Sequence, residues 1–341
     1  METIVDDVGS FPLPPHVRRE QFERAYIQTR QAMNTGKDPR KDAFLSENFC
    51  QVVLDSFGKK CLTGLDVVTY PQHYDMYKQF LDVINKMMDK GTYVVASEQA
   101  FIPEIRIIEV EAKRLHEETG KKIRLRVCIT GPMELYLKAV GTTCYKDVLL
   151  MFAETVRRFA ENSVLNSKHV KTEVVSLDEP SFGFQEISSD RGVIIETLEK
   201  AYAFSGVIKQ VHLHSPARIT QILDVKNLDV ASFEFGASPK NIEGLSKKML
   251  DKADKKIRVG ITRTDIDSIT AELRDKGVTK PTMEQLVENE STIRKRYALI
   301  KRIFEDRLAF VGPDCGLGGW PTQESAQLLL ERTVKAVKGR S

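Results

Sequence analysis

Eight short apolar runs rich in valine and isoleucine recur along this chain, and each is followed by a turn and a longer stretch with helical periodicity. Near-continuous apolar character is expected of strands that are buried on both faces, as in a parallel sheet. A repeated alternation of strand and helix of this kind favours a closed (β/α)8 barrel, the TIM-barrel fold class, over an open sheet. The predicted strands are Ile4 to Val8, Leu65 to Thr69, Ile123 to Ile129, Val174 to Leu177, Val207 to Leu213, Leu228 to Phe233, Ile257 to Ile261 and Leu308 to Val311.

Two segments depart from a minimal barrel. Amphipathic patterns over Val17 to Met33 and Lys41 to Phe57, separated by a break that contains glycine and proline, predict an N-terminal helical insertion before the second strand. The β-prone segment Tyr93 to Ile105 is interpreted as an inserted hairpin or loop and not as a ninth barrel strand. Closing helices are predicted over Met283 to Arg302 and Gln323 to Lys338.

Composition restricts the class of protein. With 41% apolar and 29% charged residues, a net charge of +3 and no linker rich in proline, serine or glycine, residues 1–341 are expected to fold as one globular domain. Basic clusters lie within helical patterns and are read as solvated helix faces, so nucleic-acid binding is not expected. Five scattered cysteines do not form a disulfide framework, which favours a reducing cytoplasm. No apolar stretch reaches the length of a membrane span, and the acidic start lacks the apolar core of a signal peptide.

Polar residues suited to chemistry follow the predicted strands. In a (β/α)8 barrel the carboxyl ends of all strands meet at one face, where such enzymes carry their active sites. The polar residues at these positions are Ser10, Tyr70, Asp178, Glu179, His212, His214, Glu234, Asp265, Asp267, Asp314 and Cys315, and the candidate site residues among them are Ser10, Asp178, His212, His214, Glu234, Asp267 and Cys315.

Four of these side chains together make a complete set of zinc ligands. His212 and His214 are two residues apart, so that on a regular strand they share a face. Glu234 ends the next strand, and Cys315 lies on a glycine-rich turn after the last one. Nitrogen, oxygen and sulfur donors in this number suit tetrahedral Zn²⁺. The alternative is that the histidines are polar residues of a barrel mouth and that Cys315 is a small buried apolar side chain.

Several segments, in order and over nearly the whole chain, resemble the catalytic C-terminal half of cobalamin-independent methionine synthase. The large N-terminal half of that family has no counterpart here, so the chain resembles the short, core-only members. The similar segments are Val8-Gly9-Ser10-Phe11-Pro12, Gly64-Leu65-Asp66-Val67-Val68, Asp75-Met76, Ile129-Thr130-Gly131-Pro132, Asp178-Glu179-Pro180, His212-Leu213-His214, Glu234, Asp265-Ile266-Asp267-Ser268, Pro313-Asp314-Cys315-Gly316-Leu317 and Gly319-Trp320-Pro321.

The resemblance implies a zinc ion and homocysteine as ligands, and transfer of a methyl group to the homocysteine thiol to give methionine. His212, Glu234 and Cys315 match the family's zinc ligands, whereas His214 stands where the family pattern has a cysteine. A neutral imidazole in place of a thiolate makes the site one charge more positive. A thiol bound there would be more acidic but less nucleophilic, which predicts a need for a reactive methyl donor or a partner.

The resemblance also implies which residues bind the amino and carboxylate groups of homocysteine. Asp178 matches the residue that receives the amino group of homocysteine, and Ser10 matches a position that holds its carboxylate, partly through the main chain. The turn from Tyr70 to His73 falls where full-length enzymes have a carboxylate. Asp267 falls where they have a histidine that protonates the departing folate nitrogen.

Two interpretations of Asp267 stay open. It is either a catalytic general acid or a cap of the following helix, since the sequence from Asp267 to Glu272 has the pattern of a helix start. Without a protonating histidine, a methylated corrinoid becomes an attractive donor, because cobalt takes the electron pair as the methyl group leaves. The predicted donors are therefore a corrinoid protein or a methyl-tetrahydropterin.

Other functions also fit the sequence. A zinc-dependent alkyltransferase acting on coenzyme M is a relative, but its sulfonate substrate would meet the carboxylates of Asp178 and Glu179. An accessory subunit that binds zinc and an amino acid, and needs a partner for turnover, is the alternative from another class. A metal-free barrel lyase or decarboxylase similar to porphyrinogen decarboxylases is the third.

Overall fold

The sheet consists of eight parallel strands in the order β1-β8-β7-β6-β5-β4-β3-β2. The structure is a computed structural model and describes residues 2–185 and 187–339. The eight apolar runs of the sequence each supply one strand, so the prediction of a (β/α)8 fold is confirmed. The strands are β1 Ile4–Val5, β2 Val68–Thr69, β3 Ile123–Thr130, β4 Val170–Asp178, β5 Ile208–Leu213, β6 Val230–Glu234, β7 Lys256–Thr262 and β8 Leu308–Pro313.

Helices surround this sheet. Within the described ranges, no helix has the length and apolar character needed to cross a lipid bilayer. The α-helices are α1 Arg19–Asn34, α2 Ala43–Leu45, α3 Gln51–Leu62, α4 Lys78–Met88, α5 Pro103–Thr119, α6 Pro132–Ala139, α7 Lys146–Glu161, α8 Arg191–Ala201, α9 Ile219–Leu223, α10 Lys247–Ala253, α11 Ile266–Asp275, α12 Met283–Leu286, α13 Glu290–Phe304 and α14 Gln323–Lys338.

The two end strands of the sheet, β1 and β2, approach each other and close the barrel. A parallel bridge joins Asp6 to Val67, and the Asp66 N–H donates to the Val5 carbonyl over 2.9 Å. Ladder pairing in β1 and β2 covers only two residues each, so they contribute the shortest strands. Closure removes the exposed sheet edges that an open arrangement would leave.

The N-terminal helical insertion is present, with one difference from the prediction. Helix α1 matches the first predicted helix closely, but the second is divided. A π-helical turn over Ser46–Cys50 separates α2 from α3, which continues to Leu62.

Of the two alternatives predicted for residues 93–105, a hairpin or a loop, the structure has the loop, which leads into the start of α5, and the segment forms no ninth strand. Side chains, instead of a partner strand, satisfy its backbone. The Thr155 hydroxyl donates to the Tyr93 carbonyl over 2.8 Å and accepts from the Val95 N–H over 3.0 Å, and the Arg158 guanidinium donates to the Val95 carbonyl over 2.8 Å. Because these side chains occupy the backbone groups of Tyr93 and Val95 that a partner strand would need, this β-prone part of the segment packs without forming a strand.

The predicted helix from Met283 to Arg302 is also divided. It consists of α12 and α13, with an extended residue, Val287, after the first. Asn289 caps α13 by accepting a hydrogen bond from the Thr292 N–H over 2.9 Å. An asparagine in this position starts a new helix more readily than it continues an old one.

The barrel interior is layered. An apolar cluster of Val67, Val174, Val230 and Phe310 fills its lower part. Above it lies a polar layer that contains fully buried charged side chains, and the metal-ligand candidates lie above that layer, at the carboxyl ends of the strands. The polar layer contains Asp6, Arg126, Gln210, Ser232 and Arg258.

Candidate metal centre

The fold brings the four predicted metal ligands together. His212 lies in β5, His214 directly follows it, Glu234 ends β6 and Cys315 lies two residues beyond β8. One ligand atom from each of these side chains lies within 4.8 Å of the others. Strand β5 pairs with β6, and β7 pairs with both β6 and β8, all in parallel. The carboxyl ends of β5, β6 and β8 therefore form one site.

The donor spacing fits a tetrahedral ion. Ligand atoms ~2.0–2.3 Å from zinc at tetrahedral angles lie roughly 3.3–3.8 Å apart. The His214 Nε2 atom is 3.5 Å from Glu234 Oε1 and 3.7 Å from Cys315 Sγ. The Nε2 atom of His212 is buried and has no hydrogen-bond partner among the described residues. A buried nitrogen without a hydrogen-bond partner, beside three other donor atoms, is the arrangement expected of a metal ligand.

The electrostatics of the cluster also suit a cation. Burial lowers the pKa of both histidines, which keeps their lone pairs available. Burial, with a contribution from the Glu234 carboxylate, raises the pKa of Cys315 to about 12. Burial and the nearby Asp314 carboxylate raise the pKa of Glu234 to about 8. A divalent ion among these groups would favour the thiolate and the carboxylate, since metal binding displaces protons from its ligands.

Asp314 connects the turn that carries Cys315 to the loop after Glu234. It is 1% exposed, and its carboxylate accepts hydrogen bonds from the backbone N–H groups of Phe235 at 3.2 Å, Gly236 at 2.8 Å and Ala237 at 2.6 Å. A Cβ atom on Gly236 would lie only 2.7 Å from this carboxylate, so glycine is required there. Burial raises the pKa of Asp314 to about 6, and the three backbone donors oppose that rise.

Two further side chains fix the backbone of the ligands. The Asn241 amide donates to the carbonyls of both His214 and Glu234, each over 2.8 Å. The Cys315 N–H donates to the Thr264 hydroxyl over 3.1 Å. Sequence reasoning missed Asn241 and Thr264 because neither lies at a ligand-like spacing from the metal residues.

A cavity of about 390 Å³ opens beside the ligand set. Asp178 and Ser10, the two predicted substrate residues, both line it. No lysine or arginine is among its described lining residues. The lining consists of Val8, Gly9, Ser10, Gln72, Met76, Tyr77, Asp178, Pro180, Ser181, His212, His214, Cys315 and Gly316.

The Ser10 loop and the Cys315 turn interlock. The Ser10 carbonyl accepts from the Leu317 N–H over 2.7 Å, and its hydroxyl accepts from the Gly318 N–H over 3.1 Å. A Cβ atom on Gly316 would lie 2.3 Å from the Ser10 hydroxyl, so only glycine permits this contact. The Ser10 N–H has no acceptor among the described residues and is available to a ligand.

Asp178 lies at the end of β4, opposite His212 in the strand register. The Ser176 hydroxyl donates to its Oδ1 atom over 2.8 Å. Burial raises the pKa of Asp178 to about 6, and the positive charge of Arg126 opposes that rise. A carboxylate in this setting gains most from a cationic partner.

Tyr77 and Glu134 form a second polar group at the cavity. The Tyr77 hydroxyl donates to Glu134 Oε1 over 2.6 Å, and the Ser181 hydroxyl donates to the same oxygen over 3.0 Å. Glu179 is not among the lining residues of the cavity; its carboxylate is buried and accepts from the backbone N–H of Met133 over 3.0 Å, at the start of α6. Glu134 was missed from the sequence because it lies inside an ordinary helical pattern.

Only Gln72 from the turn between Tyr70 and His73 reaches the cavity. Tyr70 is fully buried and donates to the Cys128 carbonyl over 2.9 Å. His73 is 3% exposed, and its ring nitrogens contact the Phe11 carbonyl and the Ser56 hydroxyl. These two residues therefore support the loop and do not line the cavity.

Asp267 does not line the cavity. It is exposed and lies in the first turn of α11, whose N-cap residue is Asp265. Asp265 makes no side-chain capping bond and pairs instead with Arg263 over 2.8 Å. An acidic side chain in a first turn interacts favourably with the helix dipole.

Comparisons with known proteins find relatives by structure only. No family model matches the chain, and no curated protein matches it. A B12-independent methionine synthase from Shewanella sp. W3-18-1, solved in complex with selenomethionine, superposes with a TM-score of 0.64 and 14% identity over 99% of this chain and 97% of that one. A putative vitamin-B12 independent methionine synthase from Listeria monocytogenes gives a TM-score of 0.59 and 16% identity over 99% of this chain and 98% of that one. Both proteins share the fold of this chain.

Proposed function

We propose that this protein is a zinc-dependent methyltransferase that moves a methyl group to the thiol of homocysteine and forms methionine. The observation that carries the proposal is the meeting of four zinc-type donors, His212, His214, Glu234 and Cys315, beside a cavity lined by Asp178. The structural similarity to two B12-independent methionine synthases, one of them in complex with selenomethionine, supports a substrate of this class.

In this proposal the chain's own groups bind and orient the amino acid. The Asp178 carboxylate receives the ammonium group, and the free N–H of Ser10 receives the carboxylate, so that the thiol side chain extends toward Cys315. Zinc held by the four ligands would lower the pKa of the substrate thiol and present its sulfur as the nucleophile. The thiol proton leaves to solvent, an S–C bond forms, and the donor keeps the electron pair of the bond that breaks.

The cavity disfavours a coenzyme M type of substrate. A sulfonate needs a cationic partner, and the described lining residues include no lysine or arginine. Asp178 and the nearby Glu134 would instead repel it. Homocysteine, which carries an ammonium group, is the better match.

The proposed donor is a methylated corrinoid, with a methyl-tetrahydropterin as the second candidate. A pterin nitrogen must gain a proton as it leaves, and Asp267 lies outside the cavity. A corrinoid cobalt takes up the electron pair without a proton, so it needs no acid at that place. If Asp267→Asn slows transfer from a methyl-tetrahydropterin, a proton-donor role for Asp267 is supported and this preference is wrong.

The direct test combines zinc-loaded protein, homocysteine and either methylcobalamin or methyl-tetrahydrofolate, with methionine as the measured product. Asp178→Asn should weaken homocysteine binding about 10- to 100-fold, because a hydrogen bond to a charged group is worth ~1.5–3 kcal/mol. Asp275→Asn, an exposed change on α11, is the matched control.

Zinc and homocysteine binding without methyl transfer by the purified chain would favour the accessory-subunit alternative, which predicts activity only with a partner. Turnover by the chain alone would exclude it. The five cysteines are all free thiols, which supports the cytoplasm as the proposed setting.

A further inference from the structure

A buried ion cluster lies one layer below the metal ligands. The Asp6 carboxylate is 2.8 Å from Arg126 Nη1 and 2.7 Å from Arg258 Nε, and all three side chains have no solvent exposure. Two guanidinium groups share one carboxylate in the barrel interior. Neither arginine touches the cavity, so the proposed catalytic function leaves this cluster unexplained.

Of the two arginines, Arg258 is the one with hydrogen bonds toward the metal site. Arg258 Nη1 is 3.5 Å from the Ser232 hydroxyl, which is 3.4 Å from His212 Nδ1. Arg258 Nη2 donates to the Pro313 carbonyl over 3.0 Å, two residues before Cys315. Arg258 therefore contacts β6 and β8 directly and β5 through Ser232. Arg126, in contrast, has two guanidinium nitrogens with no partner among the described residues.

A glycine makes room for the Arg258 contact. A Cβ atom on Gly312 would lie 2.7 Å from Arg258 Nη2 and 2.1 Å from the Asp6 carbonyl. Any side chain at this place in β8 would displace the guanidinium from Pro313. The sequence of β8 thus accommodates Arg258 just before the strand delivers Cys315.

We propose that Arg258 is a positioning residue of the metal centre, an inference that rests on the proposed zinc site. A guanidinium can only donate, so its Nη1 turns a lone pair of the Ser232 hydroxyl toward itself. The other lone pair is then free to accept from the Nδ1–H of His212, which leaves the buried Nε2 atom of His212 as the metal donor. Such outer partners of a metal-binding histidine fix its tautomer and ring orientation.

The test compares Arg258→Met with Arg126→Met. Both variants remove a fully buried arginine and leave Asp6 with one cationic partner, so they match in charge and burial. Arg258→Met should weaken Zn²⁺ binding about 10- to 100-fold, measured by competition with a chelator. It should also shift the visible absorption bands of the Co²⁺-substituted protein. Arg126→Met should lose stability in chemical unfolding but keep the Co²⁺ spectrum of the wild-type protein.

Ser232→Ala keeps the inference testable if Arg258→Met does not fold, because it removes only the hydroxyl between Arg258 and His212. Like Arg258→Met, it should weaken Zn²⁺ binding. The inference would be overturned if Ser232→Ala and Arg258→Met kept the Zn²⁺ affinity and the Co²⁺ spectrum of the wild-type protein. It would also be overturned if Arg126→Met lost as much Zn²⁺ affinity as Arg258→Met. Failure of the wild-type protein to bind Zn²⁺ would refute the zinc site itself, and the role of Arg258 with it.

Discussion

The buried ion pair between Lys60 and Asp7 supports the loop that carries Ser10. Lys60, in α3, places its Nζ atom 2.6 Å from Asp7 Oδ2 and donates to the Gly9 carbonyl over 2.9 Å. The side chains are 0% and 4% exposed, so water cannot replace either partner. Lys60→Met keeps most of the side-chain volume and removes the charge.

The expected loss of stability follows from this burial. Without Lys60, the Asp7 carboxylate keeps a hydrogen bond from the Thr69 N–H at 2.8 Å but has no other cationic side chain in contact within residues 2–185 and 187–339. Removing one partner of a buried ion pair costs ~3–5 kcal/mol. Because a domain is stable by only ~5–15 kcal/mol, this is a large fraction of the total. Unfolding in urea, followed by circular dichroism, should show it as a lower midpoint.

The double variant Lys60→Met with Asp7→Asn is the control. It removes the unpaired charge, while the oxygen of the introduced amide can still accept from the Thr69 N–H, so most of the lost stability should return. Lys60→Met should also weaken homocysteine binding, since the Gly9 carbonyl loses its donor next to Ser10. A loss below ~1 kcal/mol in Lys60→Met, or no recovery in the double variant, would refute the reasoning.

Three further results are expected. Burial raises the pKa of Glu104 from 4.5 to about 8, so between these pH values the folded protein holds a proton that the unfolded chain has lost. The free energy of unfolding should therefore fall as pH rises from about 4.5 to about 8. Glu104→Gln, which cannot ionise, should remove this part of the pH dependence. Gly316→Ala should weaken Zn²⁺ binding, because its Cβ would lie 2.3 Å from the Ser10 hydroxyl. Gly319→Ala should bind Zn²⁺ normally, because its nearest contact is 4.0 Å away; equal effects in the two glycine variants would contradict the interlock. A chelator that removes the metal should lower the unfolding temperature, and returned Zn²⁺ should restore it.

The barrel was predictable because its strands are buried on both faces and therefore appear in the sequence as continuous apolar runs. The secondary structure of single segments outside the barrel strands was less predictable. Residues 93–105 have the composition of strands, but Thr155 and Arg158, which are far away in sequence, satisfy their backbone. A tertiary partner of this kind leaves no local pattern. The division of the helix before Asn289 does have a local signal, the N-cap asparagine, which the helical periodicity of the surrounding residues obscured.

The metal-ligand candidates were visible because each stands at the end of an apolar run. The residues that hold these ligands in place were not visible in the sequence. Arg258 lies in the middle of strand β7, and Asn241 lies in a short 3-10 helix over Pro239–Gly244. Their importance comes from contacts with residues of other strands, which spacing along one chain does not reveal. The structure places Asp267 outside the cavity and in the first turn of α11, and its role as a general acid or as a helix cap stays a prediction.

X-ray absorption at the zinc edge, recorded with and without homocysteine, tests the central claim most directly. The proposed site supplies one sulfur ligand, Cys315, and should show one Zn–S contact at ~2.3 Å beside nitrogen and oxygen ligands. Addition of homocysteine should raise the count to two sulfurs. Failure of the protein to bind zinc, or a sulfur count that homocysteine leaves unchanged, would contradict the account.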